Sequence, residues 1–501
     1  MKMIQKNLHY YYLFTSAIYI FFYIFITPPF YTNDEYSHFQ KAASKENIYL
    51  NGPLHISDDA LEFADLFNHI QIRTYWPEDD IENYKNYDYF YKIKKKKSKI
   101  YLDDFVKSEN KDFNYSKKFY SEIFPEYNWD KIWTTAPSFL SRNHSQAQLS
   151  NLIGYPMTGY LFSKIGIKIS KIFTNKVYIS FYFGRIFNAI FCIGVVFFTL
   201  KFINRGKEFI FALFSLPTVL KLSASFSQDG ILFSISLLAI LIFGTLDDKK
   251  IIKTQVFNLL IFVMIFLFFL VSLSRPTYIL FFSLPLIFFF KDIQYNRKIF
   301  IISLLFIFSV LFLLFIKYYP IPIEPLKFKD GSTNIDFLIN NIGLIPKILI
   351  NDYVNNFQKY ITMFIAYMGH GNFYMHYRLI ELIGLSFALI TLCNFNFQKF
   401  FTIKNLYIIM VCLGSIIVIQ IMQYIYSTDP GRLDVIQGID SRYFVPMAII
   451  FSLLLKKNDY LLNKYLDKIK NFTLLMIPHL NIFVLIHLKN YFTLQPHWLI
   501  P

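Results

Sequence analysis

Three observations predict the fold class, an all-α integral membrane protein built as a polytopic helical bundle of about eleven transmembrane helices. Hydrophobic residues make up 54% of the 501 positions against 17% charged, more apolar surface than a single soluble core absorbs. Apolar runs of spanning length recur along the chain, and basic residues occupy every second short connection between them. The joint abundance of Lys, Ile, Asn, Phe and Tyr reads as compositional bias, so the 20% aromatic content signals membrane packing rather than a carbohydrate platform.

Lys2 and Lys6 precede the first run, Leu8 to Thr27, which Pro28-Pro29 stops. That run has no small-x-small cleavage pattern and is expected to stay as an uncleaved anchor. Residues 1–27 form the first transmembrane helix, and 28–177 a long outer loop that carries the start of the active site and juxtamembrane helices. Residues 178–319 form the first part of the bundle, 320–376 an outer loop with a juxtamembrane helix, and 377–501 the last part. Further spans are expected at Tyr178–Ile203, Phe209–Leu222, Ile231–Leu246, Val256–Leu273, Thr277–Phe290, Ile299–Tyr318, Tyr377–Cys393, Leu406–Tyr426, Tyr443–Leu455 and Phe472–Leu488. Cys192, Cys393 and Cys412 all lie in apolar runs and read as core residues, which excludes a disulfide framework or a cysteine metal site.

The basic connections set the orientation. Arg205 and Lys207, Lys249, Lys250 and Lys253, Arg297 and Lys298, Lys399 and Lys404, and the group from Lys456 to Lys470 fall on the side of Lys2 and Lys6. This is the positive-inside pattern for a cytoplasmic N-terminus. The net charge of +16 is therefore partly topological, and no nucleic-acid partner is needed to explain it. Leu149 to Phe173 mixes Leu152, Ile153, Leu161, Phe162, Ile165 and Ile169 with Lys164, Lys168 and Lys171, the pattern of amphipathic helices on a membrane surface. A crossing there is the competing reading; it would invert every later loop.

The chemically suggestive residues gather on the opposite side. Asp34 and Glu35 stand four and three positions before His38, so a short helix after the Pro-Pro break places the imidazole beside the carboxylates. Such a cluster suits a base for an acceptor hydroxyl, or a site where Asp34, Glu35 and His38 hold a divalent cation, Mg or Mn, against a phosphate. A solvated helix start capped by Asn33 or Asp34 accounts for the same letters. Asp229 precedes Gly230 in an outer turn and reads either as the cap of the next helix or as a second carboxylate of the site. Arg275, before Pro276, either snorkels to the interface or binds a phosphate with its forked donors. Arg185 lies about two turns inside its span, where a charge costs about 2.5–3.5 kcal/mol and therefore needs a partner or a polar cavity. Asp440 and Arg442 close the last outer loop, either as a surface pair or as part of the site. Gly369-His370-Gly371 and His376-Tyr377-Arg378 form another polar patch without nearby carboxylates for metal ligation.

Thr27-Pro28-Pro29-Phe30 with Asn33-Asp34-Glu35-Tyr36-Ser37-His38-Phe39 resembles the opening "PP…PDEPxHF" pattern of domain-of-unknown-function family 2142. Ala224 to Asp229 resembles that family's "ASxSxDA" turn, Arg275-Pro276-Thr277-Tyr278 its basic-Pro-x-Tyr element, and Gln437 to Pro446 its "GxQGRYFxP" ending. The pieces occur in family order over nearly the whole chain. Asn33 and Tyr36 stand where prolines are usual, and Ile439-Asp440-Ser441 stretches the final motif ahead of Arg442. The family is similar to the GT-C glycosyltransferases, multi-span enzymes that take sugar from a polyprenyl-phosphate carrier on the outer face of the membrane.

By that resemblance Asp34 is the leading base or metal-site residue, Glu35 and His38 its supports, Asp229 a second acidic contributor, and Arg275 and Arg442 ligands of the carrier phosphate. The expected reaction moves a sugar from the lipid-linked donor to a cell-surface glycan or glycolipid, with membrane lipids as surroundings. A surface-polysaccharide polymerase predicts paired arginine-rich outer loops instead. A polysaccharide or lipid transporter predicts inverted repeats and midplane charges.

Overall fold

The computed structural model describes residues 7–27, 35–43, 54–57, 144–147, 156–174, 176–248, 253–290, 294–318, 333–366, 377–395, 401–429, 431–455 and 463–494. It is a bundle of helices with one small antiparallel ribbon, β1 (Leu54–Ser57) on β2 (His144–Ala147), in register Leu54 to Ala147 and Ser57 to His144. Asp34, the Pro28-Pro29 break, Lys94 to Lys97, His370 and His376 lie outside the described residues.

Among the described residues, seven helices are long and apolar enough to cross a membrane. They are α1 (Leu8–Ile26), α4 (Val177–Phe202), α7 (Gln228–Asp248), α8 (Thr254–Ser274), α9 (Tyr295–Tyr318), α13 (Ile403–Ser427) and most of α15 (Asn463–Leu494). The other four expected spans are helical but short or interrupted. Phe209–Leu222 breaks at Ser215-Leu216 into α5 (Lys207–Phe214) and α6 (Pro217–Ser223), because Pro217 has no N–H for a continuing helix and starts a new one instead. Thr277–Phe290 is a 3-10 helix from Pro276 to Phe290 with Pro285 inside it. Tyr377–Cys393 is the 17-residue α12. Tyr443–Leu455 divides into a 3-10 turn at Ser441–Phe444, α14 (Val445–Phe451) and a second turn at Ser452–Leu454. Between α9 and α12 lie the short α10 (Asn334–Asn340) and the longer α11 (Ile345–Ala366).

The core is the hairpin α5–α6–α7. Every residue from 209 to 237 is buried, as expected of helices that are apolar on all sides and walled in by neighbours. Its walls include α4, α12, α14 and α15; Asn481 of α15, for example, donates to the Ser215 carbonyl freed by the break (2.8 Å). Lipid-facing positions fall on the outer helices, as at Phe14, Phe21, Phe306, Leu313 and Met410.

Of the Leu149–Phe173 segment expected on the membrane surface, the described part holds α3 (Leu161–Phe173), which runs antiparallel along the first half of α4. Its buried face carries Ser163, Gly166, Ile167 and Ser170. These small residues let the helices approach: a Cβ at Gly166 would stand 2.4 Å from the Phe183 carbonyl oxygen, and Ser170 Oγ donates to Ser180 Oγ (2.6 Å). At 13 residues α3 is about 20 Å long, short of a bilayer core.

Charged groups collect at two opposite ends of the bundle. At one, Arg205 pairs with Asp247 (2.6 Å) and Asp248 (2.5 Å), Lys404 joins Asp247, and Lys470 lies 3.4 Å from Glu208. The other end holds Glu35, Asp229, Arg275 and Arg442.

Candidate functional site at the rim of the bundle

Arg185 finds its partner in Glu35, the first residue of α2 (Glu35–Ala43). Its Nε donates to Glu35 Oε1 (2.9 Å) and its Nη2 to Oε2 (2.6 Å), the bidentate fork that a guanidinium and a carboxylate favour. Nη1 donates to the carbonyls of Ile24 (2.9 Å) and Thr27 (2.8 Å), which α1 leaves open at its C-terminal end. The Phe226 N–H adds a third hydrogen bond to Glu35, at Oε1 (3.1 Å). The pair is buried, and Phe39, Phe181 and Phe226 stack into an aromatic cluster beside it. Glu35, expected in the catalytic and cation-binding set, has both carboxylate oxygens hydrogen-bonded and ties α1, α2, α4 and the 225–229 turn together.

Asp229 does not cap α7 in the usual way. Ser227 takes that place, accepting the Asp229 N–H (3.2 Å), and its hydroxyl donates to Asp229 Oδ2 (3.2 Å). The Asp229 carboxylate turns instead to two arginines. Arg275 Nη2 donates to Oδ1 (2.6 Å), and Arg442 Nε lies 3.4 Å from Oδ2. Arg275 sits at the C-terminal end of α8 with its guanidinium 4.1 Å from the centroid of Tyr443; it faces the bundle rather than the interface. Arg442 also meets Asp440 (2.8 Å) and is buried. Tyr278 donates to the Tyr443 carbonyl (3.0 Å), so the 224–229, 275–278 and 437–446 motifs converge despite their separation in sequence. The stretched final motif therefore still delivers Arg442.

His38 is buried on α2, its Nδ1 2.7 Å from the Tyr160 hydroxyl, and lies within electrostatic reach of Asp229. On the same helix, burial pushes the Lys41 ammonium down to about 7, and its Nζ lies 5.6 Å from the Tyr160 ring centroid.

Two charged residues escaped the reading of the sequence. Lys221 of α6 is buried within electrostatic reach of Glu35, Arg185 and Arg442. A lysine inside the expected span Phe209–Leu222 was the signal for it. Asp352 of α11 accepts from Tyr360 (2.7 Å), Asn356 (2.7 Å), Gln420 (3.2 Å) and the Ile436 N–H (2.9 Å). It thereby anchors the loop that carries Arg442. Burial and the adjoining Asp352 carboxylate push the Tyr360 phenol up. Nothing local in the sequence marks Asp352. In the other polar patch, Arg378 Nε donates to the Tyr377 hydroxyl at the surface (3.3 Å).

Asp34, the first residue of the expected cation set, lies outside the described residues. No three His, Cys, Asp or Glu side chains among the described residues come close enough to hold one. Three carboxylates, Glu35, Asp229 and Asp440, face three guanidinium groups, those of Arg185, Arg275 and Arg442. Arg275 and Arg442 thus meet at one carboxylate, Asp229, and Arg442 pairs with Asp440 as well.

No curated protein and no solved structure was found to match the chain. The sequence profile of a family described as predicted membrane protein, domain-of-unknown-function family 2142, matches residues 18–451. That span takes in the 224–229 turn, Arg275 and Arg442, and the chain belongs to this family.

Proposed function

We propose that the protein is a GT-C-like membrane glycosyltransferase that moves a sugar from a polyprenyl-phosphate carrier to a cell-surface glycan or glycolipid. The observation that carries this reading is the convergence of Arg275 and Arg442 on Asp229 at one rim of an apolar bundle. Arginines held at headgroup depth suit a phosphate whose lipid tail stays in the bilayer. In the resting site Asp229 and Asp440 neutralise them; when the donor enters, its phosphate oxygens take over part of that pairing.

The acceptor oxygen attacks the anomeric carbon, the bond from that carbon to the phosphate oxygen breaks, and the carrier phosphate leaves with the electron pair. Arg275 and Arg442 stabilise the charge that develops on it. The acceptor proton passes to Asp34, the residue before the clamped Glu35, and direct displacement inverts the sugar carbon.

In this reading the site faces outward, and the end with Arg205, Lys404 and Lys470 faces the cytoplasm of a bacterial inner membrane, with the N-terminus on that side. The four shorter apolar segments complete about eleven crossings. A 3-10 helix rises about 2.0 Å per residue, so the 15 residues from Pro276 to Phe290 extend about 30 Å, a full bilayer core.

The test is mass analysis of surface glycans in cells lacking the protein, complemented with wild type, Asp34→Asn or Arg275→Ala at equal membrane levels. Loss of one defined sugar is expected in the deletion and Asp34→Asn strains, with transfer reduced about 10²–10³-fold by Arg275→Ala. Full restoration by Asp34→Asn removes it from catalysis and favours a polymerase or transporter.

A further inference from the structure

The three charged members of the rim site share an unusual neighbour. Asp229, Arg275 and Arg442 are each preceded by a buried polar residue, Gln228, Ser274 and Ser441, whose side chain has no hydrogen-bond partner among the described residues. Gln228 is the extreme case. Its residue is 1% exposed, yet neither Nε2 nor Oε1 has a partner among those residues. A buried amide in that state is destabilising, because both groups lose their water hydrogen bonds.

Packing also holds this amide in place. The 3-10 turn Met157–Tyr160 lies directly against it: a Cβ at Gly159 would stand 2.8 Å from Gln228 Cβ and 3.3 Å from its Oε1. Thr158, beside Gly159, contributes another buried hydroxyl oxygen without a partner among the described residues. A rigidly placed donor and acceptor side by side match the geometry of adjacent hydroxyls on a sugar ring, each of which both donates and accepts.

We propose that Gln228 recognises the hydroxyl groups of the transferred sugar and is a specificity-determining residue of the site. This rests on the carrier-phosphate reading above: Arg275 and Arg442 take the phosphate, and Gln228, next to Asp229, reads the sugar attached to it. A site built to hydrogen-bond hydroxyls rejects ligands that lack them, because its polar groups then stay buried and unpaired.

The experiment uses the full-length protein in lipid nanodiscs and measures binding of undecaprenyl phosphate alone and of undecaprenyl phosphate bearing a hexose, an N-acetylhexosamine or a pentose. Wild type is expected to bind one sugar-bearing carrier about tenfold more tightly than the bare carrier. Gln228→Leu should erase that increment, bind the bare carrier as wild type does, and unfold at the same or a higher temperature. Gly159→Ala, which displaces the amide without removing it, should weaken the same increment. The inference is overturned, with the carrier-phosphate reading intact, if wild type does not discriminate among the carriers. It is equally overturned if Gln228→Leu keeps the discrimination or weakens all carriers to the same extent. Failure of wild type to bind any carrier overturns the carrier-phosphate reading and this inference with it.

Discussion

Among the described residues Arg185 donates two hydrogen bonds to a side chain and two to main-chain carbonyls, and those partners bracket residues 28–34. Deleting one member of such a buried pair strands the other charge. Arg185→Ala should therefore lower stability by about 3–5 kcal/mol, checked by thermal unfolding of the solubilised protein. Lys41 makes a pH-dependent prediction. Its folded value of about 7 lies below the ordinary lysine value near 10.5, so between those limits the unfolded chain binds the extra proton. Stability should rise with pH across that window by about 1.4 kcal/mol per unit at most, level off above it, and lose this dependence in Lys41→Met. Unfolding temperatures from about pH 7 to about pH 9.5 measure the slope. At this scale the sequence was informative about need but not about partner. A charge buried in a span announces that something must pair with Arg185, whereas the choice of Glu35 depends on a fold that brings together residues 150 positions apart.

Helices were legible from apolar runs because a membrane helix must satisfy its own backbone and cover itself with carbon. Their interruptions were less so. Pro217 and Pro276 mark the two breaks that local chemistry explains, whereas the small residues that seat α3 on α4 stand among Lys and Ile and do not announce a packing face. Gly166→Ile should push α3 off α4, since even a Cβ there meets main chain at 2.4 Å; loss of thermal stability with the monomer still soluble in detergent is the expected result. Gly438 governs the loop of Arg442. It has φ +77°, and a Cβ would stand 2.7 Å from Gln423 Oε1 and 2.8 Å from Ser427 Cβ. Gly438→Ala should cost about 1–3 kcal/mol in unfolding measurements, from left-handed strain and crowding together.

At the scale of the molecule, the separation of charge into two ends makes sidedness testable. Cys192, Cys393 and Cys412 are buried, so introduced cysteines report against a quiet background. Asp429→Cys, at the site end, should react with a membrane-impermeant thiol reagent in intact cells, and Lys253→Cys only after lysis; the reverse pattern would invert the topology. The grouping of basic loops was visible in the sequence because it follows alternate connections. The meeting of the 224–229, 275–278 and 437–446 motifs was not visible, because order along a chain does not state which ends lie side by side. The enclosed hairpin from 209 to 237 also has a consequence for assembly in the cell. Several of its walls, α12, α14 and α15, are synthesised after it. A nascent chain that has just finished α7 presents Lys221, Ser227, Gln228 and Asp229 without those later helices, so an insertase or intramembrane chaperone must shield this segment until α15 emerges from the ribosome. Chains truncated before α15 should accordingly be cleared by membrane proteases rather than accumulate as a smaller bundle.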